Sequence, residues 1–333
     1  MVLYIHMYYT EGSSMPILRI VEGSIGQGIC TVAVPLFYII SGYLFFLKMP
    51  KGIRSIPKKL RKRVGTLLIP YIIANILTFV FYVALNLLIW QMPSLGNVVN
   101  FRVLDNAIEA GPWNTFCLVF IDPPIAFQLW FVRDLMVAMI CSPVIYLLLG
   151  WIMPRGAKYI LLLVLLVLIG CPNHIPCLSA FIWFTLGGYI AICNIRTDYM
   201  PAHNIVYSLF LLYIITSIVN QYSDTPSYTA KFIPILGIPA IWYLYDIIVK
   251  RCNELKNVQI IKWLASYTFF VYLCHEPLLN IFKKLPLLIS RSETILIASY
   301  ILTPVIFYIF ACCLGRLIKA ISPKIYYVYT GGR

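Results

Sequence analysis

IVYSLFLLYIITSIV (Ile205–Val219) carries no charge and shows no alternation of polar with apolar residues. YILLLVLLVLIG (Tyr159–Gly170) reads the same way. A strand of a membrane barrel would turn every second side chain toward a polar lumen, so continuous apolar runs of this kind argue for helices. Composition gives the medium: of 333 residues, 61% are hydrophobic and 11% charged, too little polarity to cover a water-facing surface of this size. Lipid offers backbone N–H and C=O groups no partner, so only helices and closed barrels span it. The expected fold is all-α, a polytopic transmembrane helical bundle.

Windows of about 20 residues place spans at Thr31–Leu47, Thr66–Trp90, Leu129–Gly150, Tyr159–Cys171, Cys177–Ile195, Ile205–Val219, Phe232–Val249, Trp263–Phe282 and Thr294–Leu314. The opening run MVLYIHMYYTEG has the character of the last part of one more. That makes about ten helices, the first N-terminally incomplete, in a single integral-membrane domain over residues 1–333 with no separate soluble domain. The basic stretch KMPKGIRSIPKKLRKR (Lys48–Arg63) orients them. With this stretch in the cytoplasm and the spans alternating, 19 Lys and Arg fall inside and 6 outside, while Arg133 lies within a span. Short cytoplasmic loops carry such an excess. Gln91–Gln128 and the loop Cys171–Cys177 are then expected outside.

The formal net charge of +14 borders membrane segments, where anionic lipid headgroups of the bilayer are the nearer partner. Nucleic acid is not expected as a partner, because the aromatic residues that would stack on bases lie in the spans. Most of the ten cysteines fall in or beside apolar runs, where Cys behaves as a small hydrophobe. CPNHIPC (Cys171–Cys177), with His174, could hold a bridge or a weak metal site. It offers three ligands where zinc usually takes four, so no metal is expected. Neither a cleavable signal peptide nor an internal repeat is visible.

Four segments carry a resemblance. They are Leu3-Tyr4-Ile5-His6; VPLFYIISGYLFF (Val34–Phe46), followed by the basic run and Pro70-Tyr71; LWFVRDLMV (Leu129–Val137); and YTFFVYLCHEPLL (Tyr267–Leu279). In this order and spacing the chain resembles the integral-membrane acyltransferase 3 family, whose bacterial members O-acetylate sugars and other cell-surface molecules. The resemblance implies a multi-pass protein of the bacterial plasma (inner) membrane. The implied activity is that of an O-acyltransferase, moving an acetyl group from acetyl-CoA to a hydroxyl of a cell-surface glycan or a lipid-linked precursor. Acetyl-CoA or another acyl-CoA is then a donor substrate, with no bound cofactor. The family role carried to His6 is that of general base on the acceptor hydroxyl. Independently, an imidazole can take a proton from a hydroxyl and later return it, as transfer from a thioester to an alcohol requires.

The family has an Arg-x-x-Arg signature before Pro70 thought to meet the donor. Here Arg63 stands at the first position, Thr66 occupies the second, and Lys59, Arg61 and Lys62 supply charge upstream. Clustered cations at a helix mouth suit the phosphates of coenzyme A, so Arg63, Arg61 and Lys59 are the candidate donor-binding residues. Family members also carry an Arg about ten residues before the His, which has no match here. Arg133 and Asp134 are adjacent opposite charges within a span, which is costly unless they pair or face a polar cavity; they are candidates to bind or support the acceptor, or else they anchor the span near the outer headgroup layer. His275 and Glu276 lie near the outer end of their helix, where the carboxylate either orients the imidazole or binds an acceptor, or the two form a satisfied polar pair facing the bundle interior. Pro277 marks a kink or helix end there. Ser41-Gly42 reads as a close helix-packing site. A transporter or flippase, or a non-catalytic membrane partner that kept the fold, are the alternative readings.

Overall fold

The computed structural model describes residues 1–9, 15–49, 52–91, 109, 111–152, 164–169, 177–196, 201–222, 230–251 and 258–332. Among these residues every regular element is helical. A single turn α1, Val2–Ile5, ends at His6. Then α2, Pro16–Glu22, runs through a wide π-type turn Gly23–Gly28 and a 3₁₀ turn Ile29–Val32 into α3, Ala33–Phe46. The first long span therefore starts at Pro16 rather than Thr31. Glycines in GSIGQG read as a turn in water, but here their bare faces admit neighbours. A Cβ at Gly28 would lie 2.7 Å from the Ser217 Cβ, and one at Gly23 would collide with Gln221. Glu293 Oε1 accepts the Ile17 and Leu18 N–H groups at 2.8 and 2.9 Å, satisfying first-turn donors of α2 that have no partner within the helix.

The basic stretch forms α4, Ile56–Arg63, and passes through a second π-type turn into α5, Ile69–Gln91. There Ile69 N–H reaches back five residues to Val64 O, just ahead of Pro70, which has no N–H to give. After α6, Pro112–Phe120, the run that begins near Leu129 breaks into α7, Trp130–Ile140, and α8, Ser142–Ile152, with a 55° bend. Pro143 accounts for the break, because it cannot donate to the carbonyl of Met139. The remaining helices are α9, Leu178–Ile192; α10, His203–Val219; α11, Ile233–Arg251; α12, Gln259–Ser266; α13, Thr268–Ile289; α14, Glu293–Ile321; and α15, Pro323–Thr330.

Five of the described helices are long and apolar enough to cross a membrane, and the bent pair α7–α8 makes a sixth. The nine runs read from sequence exceed this for identifiable reasons. Helix α9 has only 15 residues. Helix α13 carries Glu276, Lys283 and Lys284 along its length. Tyr159–Cys171 lies largely outside the described residues, of which 164–169 are helical. Trp263–Phe282 divides between α12 and α13 at Tyr267, and α13 is kinked again at Glu276, whose φ of −99° and ψ of 131° are extended rather than helical. The protein is a multi-pass membrane protein built as an all-helical bundle.

The tightest seam joins α3 to α9. A Cβ at Gly42 would lie 2.1 Å from the Phe184 carbonyl oxygen, and one at Gly187 would lie 2.1 Å from that of Ile39. The two helices thus meet backbone to backbone through glycines contributed by each, as membrane helices do when small residues replace the hydrophobic drive they lack in lipid. Around the seam, Phe45, Phe46 and Phe184 pack together, and Tyr38 donates from its hydroxyl to Phe131 O of α7 at 3.1 Å. Gly42→Ala and Gly187→Ala should each destabilise the protein by about 1–3 kcal/mol through overpacking. Thermal unfolding in detergent checks this. Gly65→Ala, where a Cβ meets nothing within 4 Å, should fall far below that range.

Candidate active site

His6 is placed at the end of α1, where its backbone N–H donates to Tyr4 O. Its half-buried ring stands beside that of His275, with centroids 5.2 Å apart and planes inclined at 49°. Phe127 meets the His6 ring edge-on at 5.9 Å. Two candidates separated by most of the chain thus become neighbours.

His275 owes its position to the kink in α13. In an unbroken helix the Leu273 carbonyl would accept from residue 277, but that residue is Pro and has no N–H. The side-chain amide of Gln128 replaces it, with Nε2 donating to Leu273 O at 3.2 Å and to Glu276 O at 3.4 Å. In return the Tyr272 hydroxyl donates to the Gln128 backbone oxygen at 2.6 Å. The imidazole of His275 is fully buried, with Nδ1 2.8 Å from Tyr272 O. A carbonyl can only accept, so in the neutral ring Nδ1 carries the hydrogen and Nε2 presents a lone pair. Glu276 is also buried, and its Oε2 accepts from Asn280 Nδ2 at 2.5 Å. The Lys283 ammonium, two turns on, acts electrostatically on both His6 and Glu276.

A cavity of about 640 Å³ reaches His275 and Tyr272 from the start of α13. Val2 and Leu3 of α1, Phe37 of α3, Phe131 of α7 and Phe269 form much of its wall, so it is predominantly apolar with an imidazole set into it. Such a lining suits a neutral chain better than a charged group.

The Arg133–Asp134 pair sits elsewhere. Arg133 Nη2 lies 2.8 Å from Asp134 Oδ1, its Nε donates to the same oxygen at 2.9 Å, and Nη1 donates to Ile121 O. With Trp130, Trp183 and Lys231, the pair lines a separate cavity of about 440 Å³. The basic run is also apart from the imidazoles. Lys59 points its ammonium at the end of α3, donating to Phe45 O and, at 2.8 Å, to Leu47 O. Arg61 is exposed and Arg63 half-buried, and both line a groove of about 680 Å³ between α4–α5 and α7 that also includes Arg133. Sequence reasoning passed over Gln128, Tyr272 and Phe127. The signal for Gln128 was a lone amide opening the LWFVRDLMV run. Cys171 and His174 lie outside the described residues. Among the described ones no group of three or more His, Cys, Asp or Glu side chains could hold a metal ion.

Two imidazoles thus adjoin inside an all-helical membrane bundle, one of them set in the wall of an apolar cavity. The chain belongs to the acyltransferase 3 family, whose model, an acyltransferase domain, matches residues 1–320. It is 24% identical to the succinoglycan biosynthesis protein ExoH of Rhizobium meliloti (strain 1021) over an alignment of 322 positions that covers 93% of this chain and 81% of ExoH. No solved structure matches it. The protein is a membrane acyltransferase.

The bonds made by Lys59 separate it from its basic neighbours. Its charge satisfies carbonyls that the last turn of α3 leaves without helical partners, a favourable place for a cation. Lys59→Met should lower stability by about 1 kcal/mol, and thermal unfolding in detergent checks this.

Proposed function

We propose that the protein transfers an acetyl group from acetyl-CoA to a hydroxyl of a cell-surface glycan or of its lipid-linked precursor. The observation that carries this reading is the His6–His275 pair, held in a partly dehydrated site next to an apolar cavity. A relative named for succinoglycan biosynthesis supports a glycan as the acceptor.

In this reading His6 takes the proton of the acceptor hydroxyl as its oxygen attacks the thioester carbonyl carbon. The tetrahedral intermediate collapses with cleavage of the C–S bond. The imidazolium returns its proton to the departing coenzyme A thiolate, leaving an ester on the glycan and a free thiol. The neighbouring imidazole of His275, with Nδ1 held at Tyr272 O, flanks His6 on one side. The acyl group approaches along the apolar cavity, and the lipid-facing bundle keeps water from competing for the thioester. Arg61 and Arg63 meet the phosphates of the donor at the cytoplasmic mouth, as the positive-inside orientation of Lys48–Arg63 favours. The protein thus works as a multi-pass enzyme of the bacterial inner membrane, taking donor from one side and acceptor from the other.

General-base catalysis contributes about 10²–10⁴-fold, so His6→Ala should lose most acetyl transfer while retaining protein level and donor binding. Acetyl ester on the surface glycan, quantified per folded molecule, is the measurement. Turnover within about threefold of the unaltered protein would remove His6 from the chemistry.

A further inference from the structure

Two buried atoms at the kink of α13 lack hydrogen-bond partners among the described residues: His275 Nε2 and Gln128 Oε1. Their residues are 0% and 1% exposed. The chemical identity of each follows from what the other end of its side chain touches. Gln128 bonds only carbonyl oxygens through its other amide atom, so that atom is the NH₂ group and the orphan is the carbonyl. His275 Nδ1 also faces a carbonyl, which leaves the lone pair on Nε2. Both orphans are therefore acceptors. Other buried polar atoms without partners, such as Ser24 Oγ, Ser142 Oγ and Trp263 Nε1, are dispersed on different elements. These two belong to one assembly, because the Gln128 amide clasps the carbonyls of Leu273 and Glu276 on either side of His275.

A pair of buried acceptors is unfavourable without donors, each costing about 1–3 kcal/mol when left unmade. The thioester carbonyl and the phosphates of the donor offer only further acceptors, and its amide N–H and hydroxyl groups are spread along a flexible arm. A sugar offers several O–H donors on one rigid ring.

We propose that Gln128 Oε1 and His275 Nε2 form the hydroxyl-recognising subsite for the acceptor, and that its ligand class is a polyhydroxylated sugar unit. This rests on the acyl-transfer reading and adds which residues read the acceptor. Gln128 has two roles here. Its NH₂ group holds the kink in shape, and its carbonyl receives one sugar hydroxyl beside the one taken by His275. The second contact orients the ring so that a particular hydroxyl faces the imidazoles, which is how a site selects one position among chemically similar alcohols.

The test uses the full-length protein in detergent, acetyl-CoA as donor, and oligosaccharides released by mild acid from the host's own surface polysaccharide as acceptor. Gln128→Lys keeps a donor to the Leu273 and Glu276 carbonyls but removes the acceptor. The expected result is a Michaelis constant for oligosaccharide raised about 3- to 10-fold, the span of one neutral hydrogen bond, with that for acetyl-CoA unchanged. A folded variant with unchanged oligosaccharide constant, or with a raised acetyl-CoA constant, overturns the subsite. A second measurement is made on the unaltered protein and so does not depend on the variant folding. Fully O-methylated oligosaccharides, which keep acceptor oxygens but have no O–H, should fail to compete with the native ones. Competition within about twofold of the native oligosaccharides overturns the proposal. Absence of acetyl transfer to any oligosaccharide by the unaltered protein is a distinct outcome, and it would overturn the glycan reading and the subsite together.

Discussion

Main chain meets main chain where α3 crosses α9, and the positions of the functional groups follow from that contact. Apolar side chains gain nothing by leaving lipid for protein, so helices in a bilayer hold together by close packing and by hydrogen bonds. Gly42 and Gly187 supply the packing, and any side chain at either position would push the partner's carbonyl away. The seam fixes the height of Tyr38, whose hydroxyl bonds to the Phe131 carbonyl and so locates α7. The N-terminal end of that helix delivers Gln128 to the broken turn of α13. A steric allowance in one helix pair is thereby passed, one bond at a time, to the imidazole of His275.

Much of the fold was legible because lipid demands continuous apolarity and leaves a strong trace in sequence. Ile205–Val219 and Thr294–Leu314 lie within helices α10 and α14. Pro277 announced an interruption, and the interruption is there. The first span was read too short because Gly23, Gly26 and Gly28 have the composition of a loop, whereas inside a bundle their bare faces admit Gln221, the Tyr300 hydroxyl and Ser217 respectively. The site was legible only in part. His6 and His275 stood out as rare polar groups on apolar runs. Gln128 did not, because its role is set by a carbonyl 145 residues away that lost its own donor to a proline. Lys59 illustrates the reverse: a positive charge in a basic cluster reads as a ligand for phosphate, but in the structure it reaches the open end of a neighbouring helix.

Polar side chains in this bundle answer mainly to backbone. Tyr71 donates to Phe120 O, Asn75 links Tyr71 O to Ala126 N–H, and Tyr213 donates to Ile29 O. The bonds to Phe120 O, Ala126 N–H and Ile29 O cover backbone groups at a helix end, a bend and an irregular turn, the places where a helix in lipid would otherwise be incomplete. Irregular backbone is tolerated where a tyrosine or amide covers it. The assembly around His275 applies the same device, with one difference: the covering amide has an oxygen left over.

The Glu293 carboxylate, at the head of α14, bonds the first N–H groups of α2, so the two helices begin at the same level. About two turns further along each, the Tyr300 hydroxyl lies 3.5 Å from Glu22 O, so they advance side by side in the same direction. The α2–α3 helix has 31 residues, about 46 Å at the helical rise, against a hydrocarbon core of about 30 Å. The chain therefore leaves Phe46 on one face of the bilayer and must start again at Glu293 on the opposite one. Parity follows: whatever path the intervening chain takes, it crosses the membrane an odd number of times. One carboxylate thus imposes an arithmetic condition on the threading of the nearly 250 residues between the two helices.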